Sequence, residues 1–422
     1  MKTETIAFIM LLFSPFMLLA GGAAEDALED ESEQVLRIAS WNIQEEMTGD
    51  YFRQLGEAFE TEYGVEVEWI AYPYGDLREQ VLISLSAGDA PDLVQSERGW
   101  MATFATSGYF QGVDDYLSED YKADISDRLV ADMIFEDEMY GVPWFYSPFV
   151  MYYNARLFEE AGLDPDNPPS TYEEAYEAAL ALSELEDGDG NEVYGLGQTT
   201  ASVPVSGASL LSYIMSFGGN VWDDAGNVII SEDETVDALS FLRDMNDEGL
   251  IPEGALLRDL RSLFVEQRVG MYFDQLWGGS DAVRDDPDEE YIRVTGPLSG
   301  AGHRPTSTME AHLMMIPENA ANPELAGQFI EFATSEENLA EYLTISPFLP
   351  ARTSLAHLPG QQYGFLSALE GVDESIVEIP KHERMEDIFL ELTSMVQEVT
   401  AGGEDPRVAA ERMADWLARE ID

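Results

Sequence analysis

Three short apolar runs separated by two amphipathic stretches constrain this chain more than any other feature. VLRIASW (35–41) reads as a strand ending at a polar corner. Phe52, Leu55, Phe59 and Tyr63 then recur at helical spacing, and Gly64 stops the helix. VEVEWIAYP (65–73) alternates as a second strand, DLREQVLISLSAG (76–88) reads as a second helix, and Asp92 to Gln95 as a third short strand. Strand–helix–strand–helix–strand predicts an α/β fold with a parallel sheet and right-handed crossovers. Ligands of such sheets sit at the carboxyl ends of the strands. Those ends carry Trp41 and Asn42, Tyr72 to Tyr74, and Ser96 and Glu97.

A second α/β half follows, as 422 residues would suggest. VMYYN (150–154) is a predicted strand, followed by helices in RLFEEAGL and TYEEAYEAALALSEL, the latter opening near Thr171. FGGNVWDDAGNVII (217–230) reads as a hairpin or loop with Trp222 at its polar turn. Helices are expected over 231–249 and 322–344, a helix running into a strand over 262–279, a strand at 312–317, and helices at the C-terminus.

Charge excludes some functions. The chain has 83 acidic against 21 basic residues, a formal net charge of −62. Such a surface repels phosphate backbones, so neither nucleic acid nor an anionic membrane is an expected partner. The acid is spread along the whole chain, which reads as adaptation to high salt; stability is then expected to rise as salt screens the repulsion. With no cysteine, disulfides, thiolate zinc sites and a cysteine nucleophile are excluded. Residues 1–24 read as a secretory signal, with Lys2, an apolar run from Ile6 to Ala20, and small residues up to a cleavage point after Ala24. An uncleaved anchor is the alternative. Residues 25–34 form an acidic leader.

Catalytic motifs are absent. There is no P-loop, no complete dinucleotide fingerprint and no G-x-S-x-G elbow. The four histidines, His303, His312, His357 and His382, lack metal-ligand spacing. DGDGNE (187–192) begins like a calcium loop but has Glu192 where glycine is needed, and reads as a tight acidic turn. No metal or cofactor is expected.

The tryptophans say more. Trp69 and Trp416 sit in a strand and on an amphipathic helix, as core residues would. Trp41, Trp100, Trp144, Trp222 and Trp277 sit at strand ends or in polar or glycine-bearing loops, which favours an aromatic-lined cleft. Indoles cover the apolar face of a sugar ring while polar groups bond its hydroxyl rim. Stacking on one Trp face is worth ~2.5 kcal/mol before entropy costs. A quaternary ammonium in an aromatic cage would use the same rings.

The order and spacing of LSAGDAPDLVQ (85–95), MYGVPWFYSPFVMYYNARLFEEAGL (139–163), STYEEAYEAALAL (170–182), LFVEQRVGMYFDQLWG (263–278), NPELAGQFIEFATSEEN (322–338) and SPFLPARTSL (346–355) resemble the family-1, maltose-binding-protein-like group of extracellular solute-binding proteins of ABC importers. The resemblance implies a type II periplasmic-binding-protein fold, with two lobes that each hold a mainly parallel sheet flanked by helices. Lobe 1 would comprise 35–144 and 275–345, and lobe 2 145–274 and 346–422. Hinge strands would cross near 143–150, 271–277 and 345–352. It implies a ligand site built from Trp41, Asn42, Ser96, Glu97, Trp100, Trp144, Tyr146, Trp222, Asp274, Trp277, Phe348 and Arg352. For Arg352, Asn42 and Glu97 a structural ion pair is an equally simple role. LLAGGAA stands where many relatives carry a lipid-attachment cysteine, which implies a freely periplasmic or released protein.

The expectation is therefore a non-enzymatic, monomeric binding protein that delivers a sugar or oligosaccharide to an ABC permease. Its rivals are a secreted carbohydrate-active enzyme and a binder of a cationic or zwitterionic osmolyte.

Overall fold

The computed structural model describes residues 34–300, 302–382 and 384–421. The expected signal segment 1–24 and all of the 25–34 leader except Gln34 lie outside the described residues.

Two sheets organise the chain from Val35 onward. The first has six strands in the order Leu349–Pro350, Val142–Pro148, Met309–Met315, Leu93–Glu97, Val35–Ser40 and Glu66–Ala71. Val35–Ser40 pairs in parallel with both Glu66–Ala71 and Leu93–Glu97, as the alternating pattern predicts. The remaining ladders are antiparallel. The second sheet has four strands in the order Ile292–Thr295, Val150–Asn154, Val269–Asp274 and Tyr194–Gly197. Only its last pair is parallel. Both sheets are thus mixed rather than mainly parallel, because strands that return from the other half join them antiparallel.

Each sheet has its own core. Val150 and Tyr152 pack into one apolar cluster of the second half, and Met151 and Tyr153 into another on the opposite face. This strand is therefore apolar at every position before Asn154, the signature of a strand covered on both faces. The first-half core takes residues 36–145 and 311–358; the two second-half clusters take 149–298 and 363–417.

These memberships move the expected boundaries. The first crossing lies at Pro148–Val150, between one sheet and the next. The segment after Asp274 does not stay with the first sheet. It returns as Ile292–Thr295 of the second, so the crossing expected at 271–277 lies instead between Thr295 and Met309. The third crossing lies beyond Leu358 rather than at 345–352. At the junction, Phe149 N–H donates to the Thr308 carbonyl, Ser307 Oγ donates to the Phe149 carbonyl at 2.7 Å, and Ser307 pairs in parallel with Ile376.

One helix carries no amphipathic signal. Pro204–Ser216 is buried almost all round, so it has no polar stripe. It packs against Met385–Thr400 so closely that a Cβ on Gly207 would lie 2.2 Å from the Phe389 carbonyl oxygen. No helix among the described residues is long and apolar enough to cross a membrane.

Candidate functional site

The carboxyl ends of the parallel strands do gather aromatic rings. Val35–Ser40 delivers Trp41, the helix Tyr74–Ser86 begins with Tyr74, and the helix Arg98–Thr106 carries Trp100. Their centroids form a triangle with sides of 5.6, 5.7 and 5.7 Å. Edge-on and tilted contacts at this spacing are favourable for aromatic quadrupoles. Trp41 and Trp100 are buried, whereas Tyr74 is 48% exposed.

His312 joins this triangle to a second group of rings. Its centroid lies 5.1 Å from Trp41, 5.0 Å from Trp277 and 4.7 Å from Phe145. Trp277 follows the second-sheet strand Val269–Asp274, yet its ring covers first-half residues. The turn Leu276–Gly279 reaches over because Leu276 N–H donates to Ser147 Oγ and Ser280 Oγ pairs with Ser346 Oγ at 3.0 Å. The Trp277 indole N–H donates to Gln275 Oε1 at 3.1 Å. Burial lowers the His312 pKa to about 3, so its imidazole is neutral.

Glu97 closes the end of the strand Leu93–Glu97. Tyr74 Oη donates to its Oε2 at 2.9 Å, and His312 Nε2 lies 3.9 Å from its Oε1. Burial first, then the carboxylates of Glu310 and Glu386, push the Glu97 pKa up to about 8 against the pull of the Tyr74 hydroxyl. Burial also raises Glu310 and Asp132. Between these two lies Arg98, with Nη2 3.8 Å from Glu310 and Nη1 3.9 Å from Asp132, while its Nε donates to the Met309 carbonyl at 3.1 Å. A groove of about 420 Å³ opens beside the triangle. Arg78, Leu82 and Thr103 line one side, one turn or two beyond Tyr74 and Trp100; Arg384, Glu386 and Asp387 line the other. Arg78 and Glu386 meet across it at 2.7 Å.

The other candidates divide. Asn42 is buried, its carbonyl accepts from Thr48 Oγ1 at 3.0 Å, and its Nδ2 has no partner among the described residues. Ser96 is buried in the sheet and donates to the Glu97 carbonyl at 3.3 Å. Tyr146 is half-buried at the junction, where burial raises its phenol pKa. Trp222 packs on the second-half core, bridges Val228 and stacks on His382 at 5.9 Å, with no ring contact to the other tryptophans.

Four residues are engaged by the chain's own packing or ion pairs. Trp144 is 2% exposed and packs on Phe52 at 5.0 Å. It is the extra residue in a β-bulge, since Phe145 faces His312 while Pro143 faces Leu313, and this turns its indole inward. Phe348 is buried against Phe145 at 4.8 Å. Asp274 is fully buried, with Arg261 Nε at 2.6 Å and Nη2 at 3.0 Å and the Gln275 N–H at 2.8 Å, so its donors are supplied by the chain. Gly278 is needed there, as a Cβ would fall 2.1 Å from Asp274 Oδ2. Arg352 bonds Asp124 Oδ2 at 2.8 Å and the Thr334 carbonyl at 3.1 Å. Burial opposes ionisation of Asp124, but hydrogen bonds led by Ser354 hold its pKa down to about 2.

Trp69 and Trp416 pack against the two cores. In the DGDGNE turn, Asp187 accepts from the Asp189 and Asn191 N–H groups and from Asn191 Nδ2, which occupies both its oxygens. Among the described residues no group of three or more His, Asp or Glu side chains is placed to hold a metal.

Tyr74, His312, Glu310 and Glu386 were outside the predicted set. Tyr74 lies at a strand end that the sequence marks, but Glu310, His312 and Glu386 come together only through antiparallel pairing and helix docking.

Comparison with known proteins places the fold. A binding protein of Brucella abortus is 25% identical over 334 residues, which covers 78% of each chain. The arabinooligosaccharide-binding protein of Bacillus subtilis is 24% identical over 363 residues, or 83% of this chain and 81% of that one. The crystal structure of an ABC transporter solute-binding protein from Thermotoga lettingae, bound with α-D-tagatose, superposes with a TM-score of 0.79 at 22% identity. It covers 91% of this chain and 98% of that one, so the fold is shared. The profile described as bacterial extracellular solute-binding protein matches residues 44–340, more than half of the chain, and the protein belongs to that family.

Proposed function

We propose that this protein captures a sugar or oligosaccharide between its two halves and delivers it to the permease of an ABC importer. The observation that carries the reading is the gathering of Trp41, Tyr74 and Trp100, joined through His312 to Trp277, with Glu97 at the same strand ends. Rings supply faces for C–H stacking, and Glu97 with Tyr74 offers polar groups to hydroxyls. Asn42 and Ser96 stand at the same strand ends, Tyr146 at the junction of the halves, and Trp222 apart on the second-half core. The crossings at 148–150, 296–308 and 359–362 act as the hinge, and closure traps the ligand.

The protein acts outside the cytoplasm, as a monomer and without turnover. Glu97 and Glu310 extend from neighbouring strands of one sheet, so they stand on one wall and do not flank a glycosidic bond. The opposing carboxylate, Glu386, is held by Arg78.

A thermal-shift screen against a sugar panel, with betaine and polyamines included, tests the reading. A sugar that binds the folded form raises the melting temperature by mass action. A panel in which only betaine does so would overturn it, and so would recovery of cleaved sugar after long incubation.

A further inference from the structure

We infer that Lys381 locks the closed form: carried by the second half, it clasps the end of a first-half helix, and ligand affinity depends on that clasp. This rests on the reading of the two halves as closing on a ligand and names the residue that holds them.

Lys381 lies on a stretch of chain that follows the seam between the halves. Val372 belongs to one second-half core cluster and Ile379 to the other. Between them, Ile376 packs with Leu129, Met309 and Ala351 of the first half, and the Val377 N–H donates to the Ser307 carbonyl at 2.9 Å. Farther on, Glu386 meets Arg78 at the groove. In chain order the contacts across the seam are therefore Ile376 at the junction, Lys381, and Glu386 at the groove.

Lys381 Nζ donates to the Ala131 carbonyl at 2.8 Å and to the Ile134 carbonyl at 3.0 Å. Both lie at the carboxyl end of the first-half helix Asp127–Met133, where carbonyls run out of intrahelical partners. An ammonium suits that place, because its three donors turn freely on a long stem. Asp132 on the same helix is 3% exposed. Burial raises its pKa; the charges of Arg98, Lys381 and Arg128 oppose the rise, and Glu378 adds to it. Arg98 and Arg128 belong to the same half as Asp132, so Lys381 is the one of these three cations that parting of the halves withdraws.

The clasp differs in kind from the Arg78–Glu386 pair. Its acceptors are neutral carbonyls, so salt has no ion–ion attraction between the bonded groups to screen. The pair loosens in high salt while the clasp holds. A contact made in the closed form and lost in the open one adds to the affinity of whatever ligand the closed form traps, and its loss is felt in dissociation.

Lys381→Met keeps the apolar stem and removes the donors, and Lys381→Arg is its control. Small-angle scattering of the full chain without ligand is expected to give Lys381→Met a larger radius of gyration than the natural chain, in low salt and in 2 M salt alike, whereas Lys381→Arg superposes on the natural curve. Titration calorimetry against maltose, cellobiose, xylobiose and lactose is expected to show about tenfold weaker binding by Lys381→Met of any that the natural chain binds, and restored binding by Lys381→Arg. A Lys381→Met scattering curve that superposes at both salt concentrations overturns the lock. Equal sugar affinity in Lys381→Met also overturns it and leaves the sugar reading standing. Binding of none of the four by the natural chain counts against the sugar reading alone, and the scattering still decides the lock. If Lys381→Met does not fold, acylation of the natural chain decides instead. Lys381 is one of three lysines and is more exposed than Lys122. A clasped Lys381 is expected to be acylated at least threefold more slowly than Lys122, as read by mass spectrometry; a Lys381 that reacts as fast or faster, as its exposure alone would have it, carries a free ammonium and the lock is refuted.

Discussion

The Trp277 indole, carried by a turn that follows a second-sheet strand, lies 5.0 Å from the His312 imidazole of the first sheet at an interplanar angle of 35°. It is the one predicted tryptophan whose chain belongs to one half and whose ring covers the other. Its loss should therefore act on ligand capture more than on folding. Trp277→Ala is expected to weaken sugar binding about 10- to 50-fold, from one stacking face of ~2.5 kcal/mol. Trp144→Ala is the contrast: it empties a core site, and should cost about 3–5 kcal/mol of stability while leaving affinity within threefold. Calorimetry and urea unfolding separate the two; equal affinity in Trp277→Ala would remove that ring from the site.

Asp274 and Arg261 form a bidentate pair beneath the same turn, and Asp274 is fully buried. Removing the charge from one partner leaves the other uncompensated. Asp274→Asn is expected to destabilise the protein by about 3–5 kcal/mol, with a sugar affinity unchanged within threefold at temperatures where it stays folded. A variant as stable as the natural chain but unable to bind would return Asp274 to the ligand site.

The sequence showed the first three strands, most helices and the family, because these rest on local periodicity and on the order of segments. Trp41, Trp100, Trp277 and Glu97, which strand ends and glycine turns mark in the sequence, are brought together in the fold. The burial of Trp144 was not legible, because it sits at a bulge opposite His312 that no local pattern reports. The pairing of Asp274 with Arg261, thirteen positions earlier, was not legible because the two meet only after the intervening turn forms. The return strand Ile292–Thr295 is too short, and the helix Pro204–Ser216 too evenly buried, for either to show a period.

Stability should respond to pH in a defined direction. Folded Glu97 keeps its proton up to about pH 8, against an ordinary value of 4.5. Between those values the native state binds more protons than the unfolded chain, so stability rises as pH falls. His312 works the other way. Its pKa is about 3 when folded against 6.5 ordinarily, so it withdraws stability as pH drops below 6.5. From pH 8 to 6.5 the Glu97 effect therefore acts without that opposition, at on the order of 1 kcal/mol per pH unit. The melting temperature should be higher at pH 6.5 than at pH 8.5, and Glu97→Gln should flatten the difference. A natural chain that melts higher at pH 8.5 would contradict the buried placement of Glu97.

Arg78 and Glu386 join the two sides of the groove at 2.7 Å, with about a third of each side chain exposed. A pair so exposed is worth about 0–1 kcal/mol, and salt screens it over ~3 Å at 1 M. It can bias closure without enforcing it, which suits a protein that must open to load and release. Arg78→Ala should increase the radius of gyration of the ligand-free protein in low salt and leave it unchanged in 2 M salt. Sugar affinity should fall by less than about fivefold, the equivalent of 1 kcal/mol. The melting temperature of the natural chain should rise from low to high salt, because screening relieves the repulsion among 83 acidic residues. Small-angle scattering of the two proteins at both salt concentrations decides the part of the pair in closure. An Arg78→Ala curve that superposes on the natural one in low salt would show that the pair has no part in closure.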